Sequence, residues 1–88
     1  MYYVYMLRCG DGSLYTGITP DMEKRLKAHQ SGKGGNYTRS HLPVSLAYLE
    51  QQPDKSAALK RELELKALPR AKKLEMTEEY AKNAPPQD

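Results

Sequence analysis

Two tyrosines, an arginine, a histidine and a glutamate stand at spacings that could together act on a phosphate ester. Tyr5 and Tyr15 are ten residues apart, Arg25 and His29 are four apart, and Glu62 closes the run Ala58-Leu59-Lys60-Arg61-Glu62. A guanidinium grips phosphate oxygens through parallel N–H donors. An imidazole moves protons near neutral pH, and a carboxylate offers the oxygen ligand that magnesium prefers. A phenol ordinarily titrates near pH ~10, so it becomes a base only where cations or hydrogen bonds favour the phenolate. Every one of these residues also has a plainer explanation. The tyrosines can pack as ordinary strand residues, Arg25 can lie along the surface and pair with Asp21, and His29 can be a cation at a helix C-terminus. Glu62 can pair with Lys66 one turn further on. For each residue alone the plainer explanation is the commoner one.

The elements that must position these groups are legible in the pattern. Tyr3 to Cys9 is rich in aromatic and β-branched residues and reads as a strand. Gly10-Asp11-Gly12 is a turn, and Ser13 to Ile18 is the returning strand. A three-residue loop sets Cys9 opposite Ser13, Leu7 opposite Tyr15 and Tyr5 opposite Gly17. Tyr5 and Tyr15 then share a face, and Gly17 leaves room for the Tyr5 ring. A two-residue Asp-Gly turn would shift the register and send Tyr15 to the other face. Thr19 is positioned to cap a helix that Pro20 opens and that runs to about Gln30. Ser31 to Asn36, with three glycines, reads as loop. Val44 to Gln51 is a third strand. Asp54 or Ser56 starts a helix that Pro69 ends after Leu68, and Arg70 to about Lys82 is a last helical stretch with a break near Thr77. The expected fold class is α+β: a three-stranded antiparallel sheet flanked by helices, in the order β-β-α-β-α-α. One domain is expected over residues 1–82, followed by a flexible tail at 83–88.

At about 100° per residue, Ala58, Leu59, Leu63, Leu65 and Ala67 form an apolar arc on the long helix, with Lys60, Arg61 and Glu64 outside it. Glu62 falls inside that arc and Lys66 lies on the same side. A carboxylate turned toward a core needs a partner or a metal. On the first helix Met22 and Leu26 mark the buried stripe, and Arg25 and His29 run beside it.

Composition narrows the classes. With 88 residues the chain has room for one core, and 39% hydrophobic content with seven tyrosines, no Phe and no Trp makes tyrosine its aromatic material. The single cysteine, Cys9, forms no internal disulfide, and no Cys/His pattern matches a structural zinc site. No stretch is long and apolar enough to span a membrane and the N-terminus does not read as a signal peptide, so a cytoplasmic location and no membrane partner are expected. The net charge of +3 is uneven: residues 1–41 hold six Lys/Arg against three Asp/Glu, and residues 42–88 hold eight against eight. That excess suits a polyanion.

The ordered set Tyr3-Val4-Tyr5, Tyr15-Thr16-Gly17, Arg25 with His29, Gly34-Gly35-Asn36-Tyr37-Thr38 and Glu62 resembles the GIY-YIG nuclease superfamily. It is most similar to the small stand-alone UPF0213 group of bacterial proteins. The resemblance runs from Tyr3 to about Leu74. It implies that Tyr5 positions or deprotonates the attacking water, that Tyr15 lines the site, that Arg25 holds the scissile phosphate and that His29 aids proton transfer. It implies that Glu62 binds one divalent cation, Mg2+ or Mn2+, for single-metal phosphodiester hydrolysis leaving a 5′-phosphate and a 3′-hydroxyl. The implied partner is nucleic acid, DNA rather than RNA, with Lys24, Lys27, Lys33, Arg39 and His41 as candidate phosphate contacts.

There are departures from the family pattern. Val4 and Thr16 replace isoleucines and Tyr3 replaces a glycine. The stretch where many active members carry an asparagine holds Leu74, Glu75, Met76 and Thr77. No second domain supplies specificity, so a homodimer or another protein partner would have to. The leading expectation is a weak or structure-selective DNA endonuclease, with alternatives in a nucleic-acid-binding module of the same fold with little or no catalytic activity and a small interaction domain. The enzyme requires Tyr5, Arg25 and Glu62 to converge on a cleft. Packing alone predicts a buried Tyr5 and a Glu62–Lys66 ion pair.

Overall fold

β1 (Tyr2–Arg8) is the central strand of an antiparallel sheet, flanked by β2 (Leu14–Thr19) and β3 (Ser45–Gln52) in the order β2-β1-β3. It is the most apolar of the three because it has a neighbour on both edges and packing on both faces; Val4, Tyr5, Met6 and Leu7 are all buried. The computed structural model describes residues 1–83. Between the strands lie α1 (Met22–Gln30) and α2 (Asn36–Ser40), and after them come α3 (Lys55–Ala67) and α4 (Arg70–Asn83).

The β1–β2 hairpin has the three-residue loop. Cys9 N–H donates to Ser13 O at 2.9 Å and Gly12 N–H donates to Cys9 O at 2.9 Å. Gly12 sits at φ +85°, a left-handed conformation that glycine adopts without steric cost. Asp11 Oδ1 accepts from Ser13 N–H at 3.0 Å and Ser13 Oγ–H at 2.6 Å, fastening the turn. Tyr5 therefore pairs with Gly17 and Leu7 with Tyr15, the register expected of this loop. On the other edge, the β1–β3 pairing shifts between Met6 and Leu7, so Met6 faces Tyr48 while Leu7 faces Leu46.

Several boundaries differ from expectation. Thr19 is the last residue of β2, not the helix cap. Its hydroxyl oxygen accepts from Asp21 N–H at 3.1 Å, and Asp21 caps α1 by accepting from Lys24 N–H at 3.1 Å. Asp54 caps α3 in the same way, accepting from Ala57 N–H at 2.8 Å. The short helix α2 has no counterpart in the sequence pattern. Gly35, at φ +151°, turns the chain so that its carbonyl receives Arg39 N–H at 3.1 Å, closing one helical turn inside what reads as loop. α4 continues through Thr77 without a break. The Thr77 hydroxyl donates back to Leu74 O at 2.8 Å and its oxygen accepts from Arg8 Nη2 at 3.2 Å, so this polar residue is buried but satisfied. Asn83, assigned to a tail by sequence, ends α4. The remainder of that expected tail lies outside the described residues.

The strand alternation sorts two cores. Tyr5, Leu7 and Cys9 pack with Met22 of α1 and Val44 on one face, joined by Tyr3, Tyr15, Leu26, Leu46 and Leu49. Val4 packs with Ala58 and Leu65 of α3 on the other, joined by Tyr48, Leu68 and Met76. The apolar arc expected on α3 is displaced: Leu63 is 69% exposed and Leu59 42%, while the buried line is Ala58 and Leu65, with half-buried Arg61 and Glu62 between. The reason is a polar clamp. Glu50 of β3 receives Arg61 Nε–H on both carboxylate oxygens at 3.0 and 2.9 Å, and also accepts from Tyr48 Oη–H and Gln52 Nε2, each at 2.6 Å. An arginine so paired lies against the sheet, and the helix rolls to let it do so.

Burial alone would raise the Glu50 carboxyl, but the hydrogen bonds from Tyr48, Gln52 and Arg61 and the Arg61 charge outweigh it and hold Glu50 below its ordinary 4.5. A carboxyl depressed on folding stabilises the protein above the unfolded pKa, and that contribution is lost as pH falls through the folded value. Arg61→Ala is therefore expected to cost about 1–3 kcal/mol at neutral pH, discounted for the partial exposure of the pair. The loss should shrink as urea unfolding is repeated at pH values falling below that ordinary carboxylate range. An equal loss at every pH would disprove the clamp.

Candidate active site

Because Tyr15 stands opposite Leu7, it shares a sheet face with Tyr5, and α1 lies over both. Gly17 stands directly opposite Tyr5. A Cβ there would fall 2.5 Å from the Tyr5 hydroxyl oxygen and 2.7 Å from Cζ, so the phenol lies across the bare backbone of the edge strand. His29, in the last turn of α1, closes over this phenol and is fully buried. Its Nε2 is 2.9 Å from Tyr5 Oη, its Nδ1 is 2.8 Å from Thr38 Oγ1, and its ring centroid is 5.5 Å from that of Tyr15. Gly34 passes so close that a Cβ on it would overlap the imidazole and lie 2.8 Å from its Cα. Both glycines are needed for absence of bulk, and only the Gly17 requirement is legible in the sequence.

Arg25, one turn before His29, donates from Nη2 to Gly34 O at 2.7 Å, tying α1 to the glycine loop; Asp21 is not its side-chain partner. The Arg25 charge also acts on the Tyr5 phenol. Burial pushes the Tyr5 hydroxyl above its ordinary 10, opposed by Arg25 and reinforced by Tyr15 and Glu62. The resting phenol is therefore protonated. His29 is not the helix-end cation that its position suggests. Burial first, and the Arg25 charge second, lower it from its ordinary 6.5, which leaves a neutral imidazole at physiological pH.

Glu62 reaches the same cluster from α3, near enough for its charge to act on Tyr5. Its side chain is only 16% exposed, and Oε2 lies 3.5 Å from Lys66 Nζ. Both features predicted by packing alone, a buried Tyr5 and a Glu62–Lys66 pair, are thus present, with Tyr15, Arg25 and His29 gathered about the same phenol. Among the described residues no group of three or more His, Cys, Asp or Glu could enclose a metal ion. A lone, largely buried carboxylate fits a hard, oxygen-seeking cation completed by water and substrate oxygens, and does not fit zinc. Residues Leu74 to Thr77 belong to α4; Met76 joins the core on the α3 side of the sheet and Thr77 meets Arg8.

Sequence reasoning missed the support for this cluster. Thr38 is buried, and Tyr37 stacks with Tyr15 on one side and His41 on the other, at centroid distances of 5.8 and 4.1 Å. Tyr37 Oη–H donates to Ser13 Oγ at 2.7 Å, so α2 is pinned to the hairpin. The signal was the run Gly34-Gly35-Asn36-Tyr37-Thr38, which gave order but no role. The basic residues stand apart from the buried cluster. Lys24, Lys27, Lys33 and Arg39 are exposed, Lys27 pairs loosely with Glu23 at 3.5 Å, and Arg39 donates to Asn36 Oδ1 at 3.3 Å.

The fold is thus an α+β domain whose three-stranded antiparallel sheet turns a tyrosine pair toward an arginine and a histidine of the first helix. Residues 1–75 match the GIY-YIG catalytic domain, and the chain belongs to that family. It is 52% identical over 82 residues to a UPF0213 protein of Streptococcus sanguinis, covering 93% of this chain and 94% of the relative. It is 47% identical over 78 residues to a UPF0213 protein of Haloquadratum walsbyi, covering 89% and 88%, so the group is archaeal as well as bacterial. The solution NMR structure of a UPF0213 protein of Bacillus halodurans is similar, with TM-score 0.58 and 44% identity over 97% of this chain and 89% of that one. That of a protein from E. faecalis has TM-score 0.60 and 35% identity, covering 99% and 93%.

The close approach of Gly17 generates a sharp expectation. Gly17→Ala should cost about 1–3 kcal/mol by overpacking against the phenol. In a Tyr5→Phe background, where the nearest atom is gone, part of that cost should vanish. A double-mutant cycle by urea denaturation measures the coupling, and additive losses would contradict the close approach.

Proposed function

We propose that the protein is a metal-dependent endonuclease that hydrolyses nucleic-acid phosphodiesters, DNA in preference to RNA, with residues 1–82 as its single functional domain. One observation carries this reading: the buried Tyr5–His29 hydrogen bond of 2.9 Å, with the Arg25 charge acting on the same phenol. Packing needs a tyrosine ring there, but it does not need a neutral imidazole aimed at the hydroxyl and a guanidinium beside it.

In this reading Tyr5 passes its proton to His29 Nε2, and Arg25 stabilises the phenolate that remains. The phenolate then takes a proton from the attacking water, whose oxygen forms the new bond to phosphorus as the bond to the 3′ oxygen breaks. Tyr15 lines the site beside His29 and orients the water. Arg25 has five N–H donors, so those beyond the one given to Gly34 O remain for the scissile phosphate. Glu62 would hold one Mg2+ or Mn2+, which when bound neutralises charge at phosphorus and at the leaving oxygen. The pair that Glu62 would give up is weak, because Lys66 is half exposed and a helix-surface ion pair is worth only about 0.3–0.5 kcal/mol. Lys24, Lys27, Lys33 and Arg39 would meet backbone phosphates, with a homodimer or protein partner supplying selectivity. The burial of Tyr5 favours a second reading, a nucleic-acid-binding module of the same fold with little turnover, since the hydroxyl has almost no exposed surface.

Cleavage of labelled duplex, nicked and branched DNA and of single-stranded RNA, with magnesium, manganese or chelator, separates the two. Wild type should cleave only with metal, and Glu62→Gln should lower the rate by about a hundredfold or more while the domain stays folded. Metal-dependent cleavage that survives Glu62→Gln rules out the ligand role. Binding without cleavage by the wild type leaves the second reading standing.

Attachment through phosphates should also weaken as salt rises. Reversing charge at Lys33 and Arg39 should reduce affinity and lower the salt slope by about one for each phosphate no longer neutralised. Titrations at several salt concentrations that show no change in slope would place the nucleic acid on another surface.

A further inference from the structure

We propose that Thr38 is a positioning residue that fixes His29 in the tautomer bearing its proton on Nδ1, leaving Nε2 free to receive the Tyr5 proton. The inference rests on the proton path proposed above and assigns its far end. The Tyr5 hydroxyl has one proton to give, and among the described residues His29 is its one hydrogen-bond partner. His29 Nε2, 2.9 Å away, is the partner in reach and must offer its lone pair. A neutral imidazole then carries its proton on Nδ1, which points at Thr38 Oγ1 at 2.8 Å. The Thr38 hydroxyl proton is turned toward Gly35 O, a carbonyl that can only accept, at 3.5 Å. From Tyr5 to Gly35, the chain of hydrogen bonds runs in one direction, with each member donating once.

The opposite direction fails. If Thr38 donated to Nδ1, then Nε2–H would point at the Tyr5 oxygen, and the buried phenol proton would have no acceptor among the described residues. Thr38 is itself held in place. Tyr37 is hydrogen-bonded to Ser13 at 2.7 Å, Gly10 N–H donates to His41 O at 2.7 Å, and His41 Nδ1–H donates to Tyr37 O at 2.6 Å. Thr38 is only 1% exposed, so water does not replace its hydroxyl. When His29 takes the Tyr5 proton it becomes a cation with two N–H groups, one directed at the phenolate and one accepted by Thr38.

The test is the protonation pattern of the His29 ring, read from two-bond 1H–15N correlations of uniformly labelled protein, with His41 identified in a His29→Gln spectrum. Wild type and Thr38→Ser should show Nδ1–H, whereas Thr38→Val, similar in volume but unable to accept, should shift His29 toward Nε2–H. Metal-dependent cleavage should fall by about tenfold or more in Thr38→Val and return in Thr38→Ser. Thermal unfolding monitors the fold, and if Thr38→Val does not fold, Thr38→Ala gives the same readout. An Nε2–H tautomer in wild type overturns the assignment without any variant. So does an Nδ1–H tautomer that persists when the hydroxyl is gone, or cleavage that ignores the change. If wild type cleaves nothing, the nuclease reading falls while the tautomer still decides whether Thr38 sets the ring.

Discussion

A phenol and an imidazole buried against each other must satisfy each other's polar atoms, because water does not reach either one. The Tyr5–His29 pair imposes that requirement on much of this molecule. It needs Gly17 bare so that the phenol can cross the edge strand, and Gly34 bare so that the glycine loop can pass the imidazole. It needs a second partner for the imidazole, which Thr38 supplies at Nδ1. Satisfying that need draws α2 down onto the site, and α2 is in turn anchored to the hairpin through Tyr37 and Ser13. A loop with three glycines is thereby held in one conformation by side chains from three different elements.

The opposite face of the sheet is organised by a different polar contact. Glu50 and Arg61 set the roll of α3, which leaves Leu59 and Leu63 in solvent. The helix thus gives up apolar burial that its sequence would allow. A strand carboxylate receiving three side chains on its two oxygens outweighs two leucines that find no groove, since each charge-assisted bond here is shielded from solvent on one side.

Electrostatically the cluster is poised. Burial holds Tyr5 protonated and His29 neutral, and Arg25 acts on both rings: it stabilises a phenolate and disfavours an imidazolium. The guanidinium thus favours loss of the Tyr5 proton but not its long residence on His29. The hydrogen bond between the two rings is the route along which these opposed tendencies meet. The weak ion pair of Glu62 with an exposed lysine leaves the carboxylate exchangeable, in contrast to the tightly clamped Glu50.

Local physics determined the strands, the hairpin and three of the helices from sequence alone. Aromatic and β-branched content marked the first strand and Gly10-Asp11-Gly12 marked the turn. The choice of the three-residue loop over a two-residue one, and with it the register that puts Tyr5 beside Gly17 and on the face of Tyr15, was made by the folded hairpin. The ordered motifs were enough to place the chain in its family. What sequence could not decide depended on contacts between distant residues. Thr38 and His29 are joined through a helix that exists only because Gly35 turns the chain and the hairpin receives Tyr37. His29 looks like a helix-end cation until its burial beside Arg25 is seen. The buried line of α3 departs from its apolar arc because periodicity counts apolar residues, whereas the helix is seated by Arg61 reaching a carboxylate eleven positions earlier in the chain. Periodicity reports which side chains avoid water; which polar pairs are worth burying together is set only when the tertiary structure brings them within hydrogen-bond reach.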